Sequence, residues 1–215
     1  MFSVLFPGQG SQSVGMAKEL YENFRYIKDL FDEADDALKF PISKLIFEGP
    51  KDLLNETENT QPAIFLTSYS IYRVIKKETA FDIDKAKYFA GHSLGEYSAL
   101  ACAGVINFID TLKLLKIRAK AMQNSVPKNE GGMIAVLGED INKILDFIKK
   151  NKNIFTCYLA NDNCNGQVVI SGKIFDLEKF TSELSKFNIK NIKLPVSAPF
   201  HCELMSPATE IMKNE

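Results

Sequence analysis

Two observations predict an α/β fold in two parts. The first is an apolar run, Tyr88-Phe89-Ala90, that enters Gly91-His92-Ser93-Leu94-Gly95 and leaves through the helix-forming residues 96–103. This gives a strand, a tight turn and a helix in succession, the context of a nucleophile elbow. The second is the order β-α-β-β-α-β between residues 127 and 196, read from apolar periodicity. Together they predict a hydrolase-like main domain with a mostly parallel sheet and an inserted ferredoxin-like α+β subdomain. The expected boundaries are 1–126 and 197–215 for an incomplete main domain, and 127–196 for the insertion.

Taken in order, Phe2 to Phe6 is expected to be a short buried strand, ended by Pro7-Gly8-Gln9-Gly10. Residues 16–24 and 26–38 carry apolar side chains at three- and four-residue spacing, as helices with one buried face do. Short helical pieces follow at 42–47 and 51–56, around Gly49-Pro50. Asn59-Thr60-Gln61-Pro62 is read as the start of a long helix, with Asn59 or Thr60 as cap and Pro62 in the first turn. That helix is apolar around most of its circumference to Lys77, which predicts burial. Another helix is expected from Asn107 through Gln123, with Leu112, Leu115, Ala119 and Met122 as its apolar stripe and Arg118 beside it. In the second part, strands are expected at 132–137, 155–159, 167–171 and 189–196, and helices at 141–150 and 175–187.

The 26 basic and 27 acidic residues nearly cancel, so no whole-molecule field attracts nucleic acid or an anionic membrane. An anionic ligand must be caught by local groups. The four cysteines, Cys102, Cys157, Cys164 and Cys202, have no C-x-x-C spacing and no paired histidines, which argues against a metal site and for free thiols. The N-terminus lacks a basic segment and meets Pro7-Gly8 too soon for a signal peptide. No apolar run approaches the ~18 residues of a spanning helix. Cytoplasmic localisation is the expectation.

In a Gly-x-Ser-x-Gly turn the serine is held strained with Oγ exposed, and the glycines let backbone segments pass closely. A plain turn with Ser93 as N-cap satisfies the same pattern. A serine nucleophile needs a base, usually histidine, whose pKa near 6.5 suits neutral pH. Only His92 and His201 exist. His92 precedes the serine and is expected to point away, leaving His201 in Ala198-Pro199-Phe200-His201-Cys202 as the candidate base.

Seven motifs stand in order along the chain: Phe6-Pro7-Gly8-Gln9-Gly10-Ser11-Gln12, Thr60-Gln61-Pro62-Ala63, Gly91-His92-Ser93-Leu94-Gly95-Glu96, Arg118 with Met122-Gln123, Gly131-Gly132-Met133, residues 167–172, and residues 194–201. In these the sequence resembles the malonyl-CoA:acyl-carrier-protein transacylases. The resemblance implies that Ser93 takes a malonyl group from malonyl-CoA, with His201 as base, and passes it to the pantetheine thiol of acyl carrier protein. It further implies an oxyanion hole from the backbone N–H groups of Gln9 and Leu94, and Arg118 as the partner of the malonyl carboxylate. Met122 and Phe200 would shape the acyl pocket. No cofactor or metal is implied beyond the two substrates, and a carbonyl rather than an acidic residue would orient His201.

Asn165 departs from the proline usual in relatives. Relatives also continue past the position of Glu215 with a segment that packs on the main domain and orients the histidine. The expectation is a weakly active chain that self-associates. Two other functions fit parts of the pattern. A serine hydrolase, such as a thioesterase or patatin-like lipase, uses the same elbow but has no use for a buried Arg118. A non-catalytic fragment could dock acyl carrier protein without loading an acyl group.

Overall fold

The structure, a computed structural model, describes residues 1–196 and 198–215 and divides into two compact units, 1–120 and 121–215. The first opens with β1 (Ser3–Phe6), then α1 (Lys18–Asn23), α2 (Arg25–Leu38), α3 (Ile42–Glu48), α4 (Lys51–Leu54) and α5 (Thr57–Glu78). A 3-10 turn at Ile83–Lys85 leads to β2 (Tyr88–Gly91), α6 (Gly95–Cys102) and α7 (Phe108–Asn124), the last running on into the second unit. β1 and β2 pair in parallel, with Phe6 opposite Gly91.

Helix α5 is the core of this unit. Its residues Ala63, Phe65 and Leu66 are fully buried and meet Phe31 of α2, Ile42 and Ile46 of α3, and Leu112 and Leu115 of α7. Phe65 also packs against the Phe108 ring in a tilted arrangement, at 5.6 Å between ring centroids. A side chain of this size buried on every side contributes about 3 to 5 kcal/mol relative to alanine. Helix α7 starts where Asn107 Oδ1 accepts the N–H of Asp110 at 2.8 Å, a side-chain cap of its first turn. Helix α6 packs on both strands, and its start lies directly beyond β2.

The second unit holds β3 (Gly131–Leu137), α8 (Ile141–Lys150), β4 (Cys157–Cys164), β5 (Gln167–Lys173), α9 (Ile174–Ser185) and β6 (Lys190–Lys193). A 3-10 turn at Glu203–Met205 and α10 (Ser206–Met212) follow. The four strands form one antiparallel sheet in the order β4-β5-β3-β6. Strand β3 is buried on both faces, and the pleat sorts its side chains. Ile134 and Val136 meet Ile144 of α8 and Leu177, Phe180 and Leu184 of α9. Met133 and Ala135 face Met122, Val126, Ala198, Phe200, Met205 and Ala208.

Several expectations are corrected. Helix α5 begins at Thr57 with Glu56 as its cap, so Asn59 and Thr60 lie inside it. Their side chains donate backwards instead, Asn59 Nδ2 to the Leu53 carbonyl at 3.0 Å and Thr60 Oγ1 to that of Leu54 at 2.6 Å. The first strand is not buried throughout, since Leu5 is 75% exposed. Strand β4 starts two residues later than expected and runs on through polar Asn161–Cys164, with register irregularities on either side of Asn161–Asp162. Residues from Ala198 onward pack in the second unit, and Ser197 lies outside the described residues. Among the described residues, no helix is long and apolar enough to cross a membrane, and no cluster of His, Cys, Asp or Glu could hold a metal ion.

Candidate active site

The turn between β2 and α6 is built by interlocking backbones. A Cβ on Gly91 would lie 1.9 Å from the Gly95 carbonyl carbon, and one on Gly95 would lie 2.4 Å from the Phe6 carbonyl oxygen. Neither position tolerates a side chain without moving main chain. The turn is tied to β1 by the His92 N–H, which donates to the Phe6 carbonyl at 3.0 Å, and closed by the Gly95 N–H donating to the His92 carbonyl at 2.9 Å. Between them Ser93 is forced to φ +54°, a left-handed conformation that costs a non-glycine residue about 1 to 2 kcal/mol. The strain follows from the two glycine contacts.

Leu94 is the N-cap residue of α6, with its side chain almost fully buried. At such a position the backbone N–H groups lack intrahelical acceptors and carry the positive end of the helix dipole. The loop after β1 closes against the same turn. Gly8 is buried under His92, where a Cβ would meet the ring Nδ1 at 2.6 Å and the His92 carbonyl at 2.8 Å. His92 is exposed and its ring lies over the loop at Gly8. Gln9 Nε2 donates to Thr57 Oγ1 at 3.4 Å, and Ser11 Oγ donates to the Gly8 carbonyl at 2.9 Å, so the loop has its own side-chain ties.

Arg118 reaches the serine from α7. Its Nη2 donates to Ser93 Oγ at 3.3 Å, its Nη1 donates to Gln61 Oε1 at 2.7 Å, and its guanidinium carbon lies 5.7 Å from the Tyr97 ring centroid. Burial pushes the guanidinium pKa down, while Tyr97 and Glu96 act to raise it. An arginine pKa starts high enough that the group stays charged near neutrality. The result is a half-buried cation beside a strained serine.

His201 belongs to the second unit. It also holds a left-handed backbone, φ +57°, and is exposed. Its segment is pinned on both sides: Ser171 Oγ donates to the Phe200 carbonyl at 2.5 Å, and Pro199 packs on Gly131, where a Cβ would lie 2.2 Å from Pro199 Cδ. Cys202 Sγ donates to the Pro199 carbonyl at 3.0 Å. Met122 and Phe200 are buried in one apolar cluster, with Ala198 and Met133.

The acyl transferase domain matches residues 4–215. The chain belongs to this family. Among acyl transferase relatives it is 46% identical over 214 residues to the malonyl CoA-acyl carrier protein transacylase of Bacillus subtilis, covering 97% of this chain and 65% of that protein. It therefore spans about two thirds of that relative's length. Among solved structures, an acyl-carrier-protein-S-malonyltransferase from Bartonella henselae superposes with a TM-score of 0.93 at 44% identity, over 100% of this chain and 69% of that one. A malonyl-transacylase in complex with a type II PKS acyl-carrier protein gives 0.91 at 38% identity, over 98% and 68%.

Ser93 and Arg118 thus lie in contact, and the loop carrying Gln9 abuts the turn that carries Ser93 and Leu94. Gln61 carried no assigned role in the sequence, although Thr60-Gln61-Pro62-Ala63 is one of the seven motifs. Its hydrogen bond to Arg118 spans 57 positions, a pairing that no local spacing rule exposes.

Proposed function

We propose that the chain carries the acyl-transfer machinery of a malonyl-CoA:acyl-carrier-protein transacylase. The observation that carries this reading is a half-buried Arg118 whose Nη2 faces Ser93 Oγ, a fixed positive charge where an acyl group on that oxygen would end. A neutral acyl chain makes no use of such a charge, whereas a malonyl carboxylate pairs with the planar fork through two N–H donors.

In the first half-reaction His201 accepts the Ser93 proton as Oγ attacks the thioester carbonyl. The carbon–sulfur bond breaks, and the proton passes to the departing CoA thiolate. In the second, the pantetheine thiol of acyl carrier protein gives its proton to His201 and attacks the malonyl-serine ester, and the proton returns to Ser93. The N–H groups of Gln9 and Leu94 would stabilise the oxyanion in both steps, such a donor contributing roughly 3 kcal/mol. Met122 and Phe200 would bound the acyl pocket. The reaction needs no cofactor, and the cytoplasm is the compartment that fits it.

At the level of architecture, the parallel β1–β2 pair with its elbow supports a hydrolase-like main domain. The β4-β5-β3-β6 order with two helices supports a ferredoxin-like subdomain inserted at 127–196.

The test is mass spectrometry of the intact chain after brief exposure to malonyl-CoA, followed by addition of holo-acyl carrier protein. A malonyl adduct on Ser93 that moves to the carrier supports the proposal. Rapid release of free malonate would identify a hydrolase instead, and no adduct at all would leave a docking fragment.

A further inference from the structure

Gln61 sits near the start of α5 with only 1% of its surface exposed, and its Oε1 accepts a hydrogen bond from Arg118 Nη1 at 2.7 Å. Arginine nitrogens only donate, so the amide atom facing Nη1 must be the oxygen. The guanidinium is thereby held at two points: Nη1 on Gln61 and Nη2 on Ser93 Oγ. Two anchors on one rigid plane fix its position and its rotation.

We infer that Gln61 is a positioning residue, one that aims Arg118 at the acyl group on Ser93 without neutralising it. This rests on the function proposed above.

The chemistry of the amide matters here. A carboxylate at position 61 would form a charge-assisted pair with Arg118 and occupy the cation that the substrate carboxylate needs. An aliphatic side chain would leave Nη1 without its acceptor in a buried place, and the plane would be free to turn. An amide oxygen accepts one hydrogen bond and leaves the full positive charge available. The role is one of aim and of preserved charge, so it should appear in how malonyl substrates bind and much less with acetyl substrates, which have no second carboxylate.

The experiment compares the unaltered chain with Gln61→Glu, Gln61→Met and Arg118→Ala, and with the double variants, using malonyl-CoA and acetyl-CoA and reading KM and kcat separately. Gln61→Glu and Gln61→Met keep the side-chain volume, and thermal unfolding checks that each variant is folded. Malonyl kcat/KM is expected to fall on the order of 10- to 100-fold in both variants, chiefly through KM, the size expected for losing a hydrogen bond to a charged group. Acetyl kinetics should change less than about threefold. In the Arg118→Ala background the Gln61 changes should have no further effect on malonyl transfer. Equal losses for malonyl and acetyl, or full losses persisting without Arg118, would overturn the inference while the serine adduct of the unaltered chain keeps the proposed function standing. Absence of that adduct from the unaltered chain would overturn both.

Discussion

Arg118 Nη2 donates to Ser93 Oγ across 3.3 Å, so the cation touches the very oxygen proposed to carry the acyl group. Removing it in Arg118→Ala is expected to lower malonyl transfer about 100-fold or more, because the substrate carboxylate would be desolvated without its partner. Acetyl-CoA should gain in relative use, since it never needed that partner. Steady-state kinetics with both thioesters checks this, and equal losses for the two would remove Arg118 from the acyl pocket.

Ser93→Ala should abolish covalent loading while leaving the fold in place. One oxygen is lost from a position held by backbone contacts of Gly91 and Gly95, which the substitution does not touch. Intact-mass measurement after malonyl-CoA exposure should show no adduct. A stable acyl group on another residue would contradict the assignment.

Gly95→Ala is expected to be far more damaging to stability than Ser93→Ala. The added Cβ would stand 2.4 Å from the Phe6 carbonyl oxygen and 2.8 Å from that of Pro7, both main-chain atoms that cannot swing aside. Forcing them apart strains the β1–β2 pairing, at a cost of roughly 2 to 4 kcal/mol. Urea unfolding of the two variants side by side gives the comparison; similar midpoints would mean that the turn has slack the structure does not show.

Alkaline pH should destabilise the protein through its buried thiols. All four cysteines are free; Cys102 and Cys157 are buried, and burial pushes each thiol pKa from 9.0 up to about 12. In the unfolded chain these groups ionise near 9, while the folded chain keeps its protons to about 12. Between those values the unfolded state binds fewer protons, so stability falls as pH rises, and the contribution is fully present only below 9. For Cys102 the slope is at most about 1.4 kcal/mol per pH unit. Denaturant midpoints measured from pH 8 to 11 should drop, and Cys102→Ala should flatten the drop; an unchanged slope in that variant would rule out Cys102 as its source.

The elbow was legible because its chemistry is local: a strand, two glycines and a helix within a short stretch fix where Ser93 must sit. The helices of the first unit and the strand order of the second were legible for the same reason, since periodicity reports burial directly. The start of α5 was not. Asn59 and Thr60 have the composition of a cap, but their side chains donate to the carbonyls of Leu53 and Leu54, which lets the helix begin earlier at Thr57. The strand expected at 155–159 stops short of Asn161, Asp162 and Asn163, polar residues that the observed strand includes. Backbone pairing with β5 holds Asn161 and Asp162 in the strand regardless of their polarity. The partnership of Gln61 with Arg118 joins two distant helices, and nothing within either helix announces it.

The contact of Gly8 with His92 has a consequence for inheritance. The space beneath the imidazole is filled by bare backbone, with no room for a methyl group at position 8 while the ring keeps its place. Losing the ring at residue 92 would not make that room, because the main-chain carbonyl oxygen of residue 92 would still stand 2.8 Å from the new Cβ, so enlarging residue 8 requires the turn itself to move. Among relatives residue 8 should therefore stay glycine whatever side chain stands at residue 92. A loop and a turn read as separate motifs in the chain are, for natural selection, a single character.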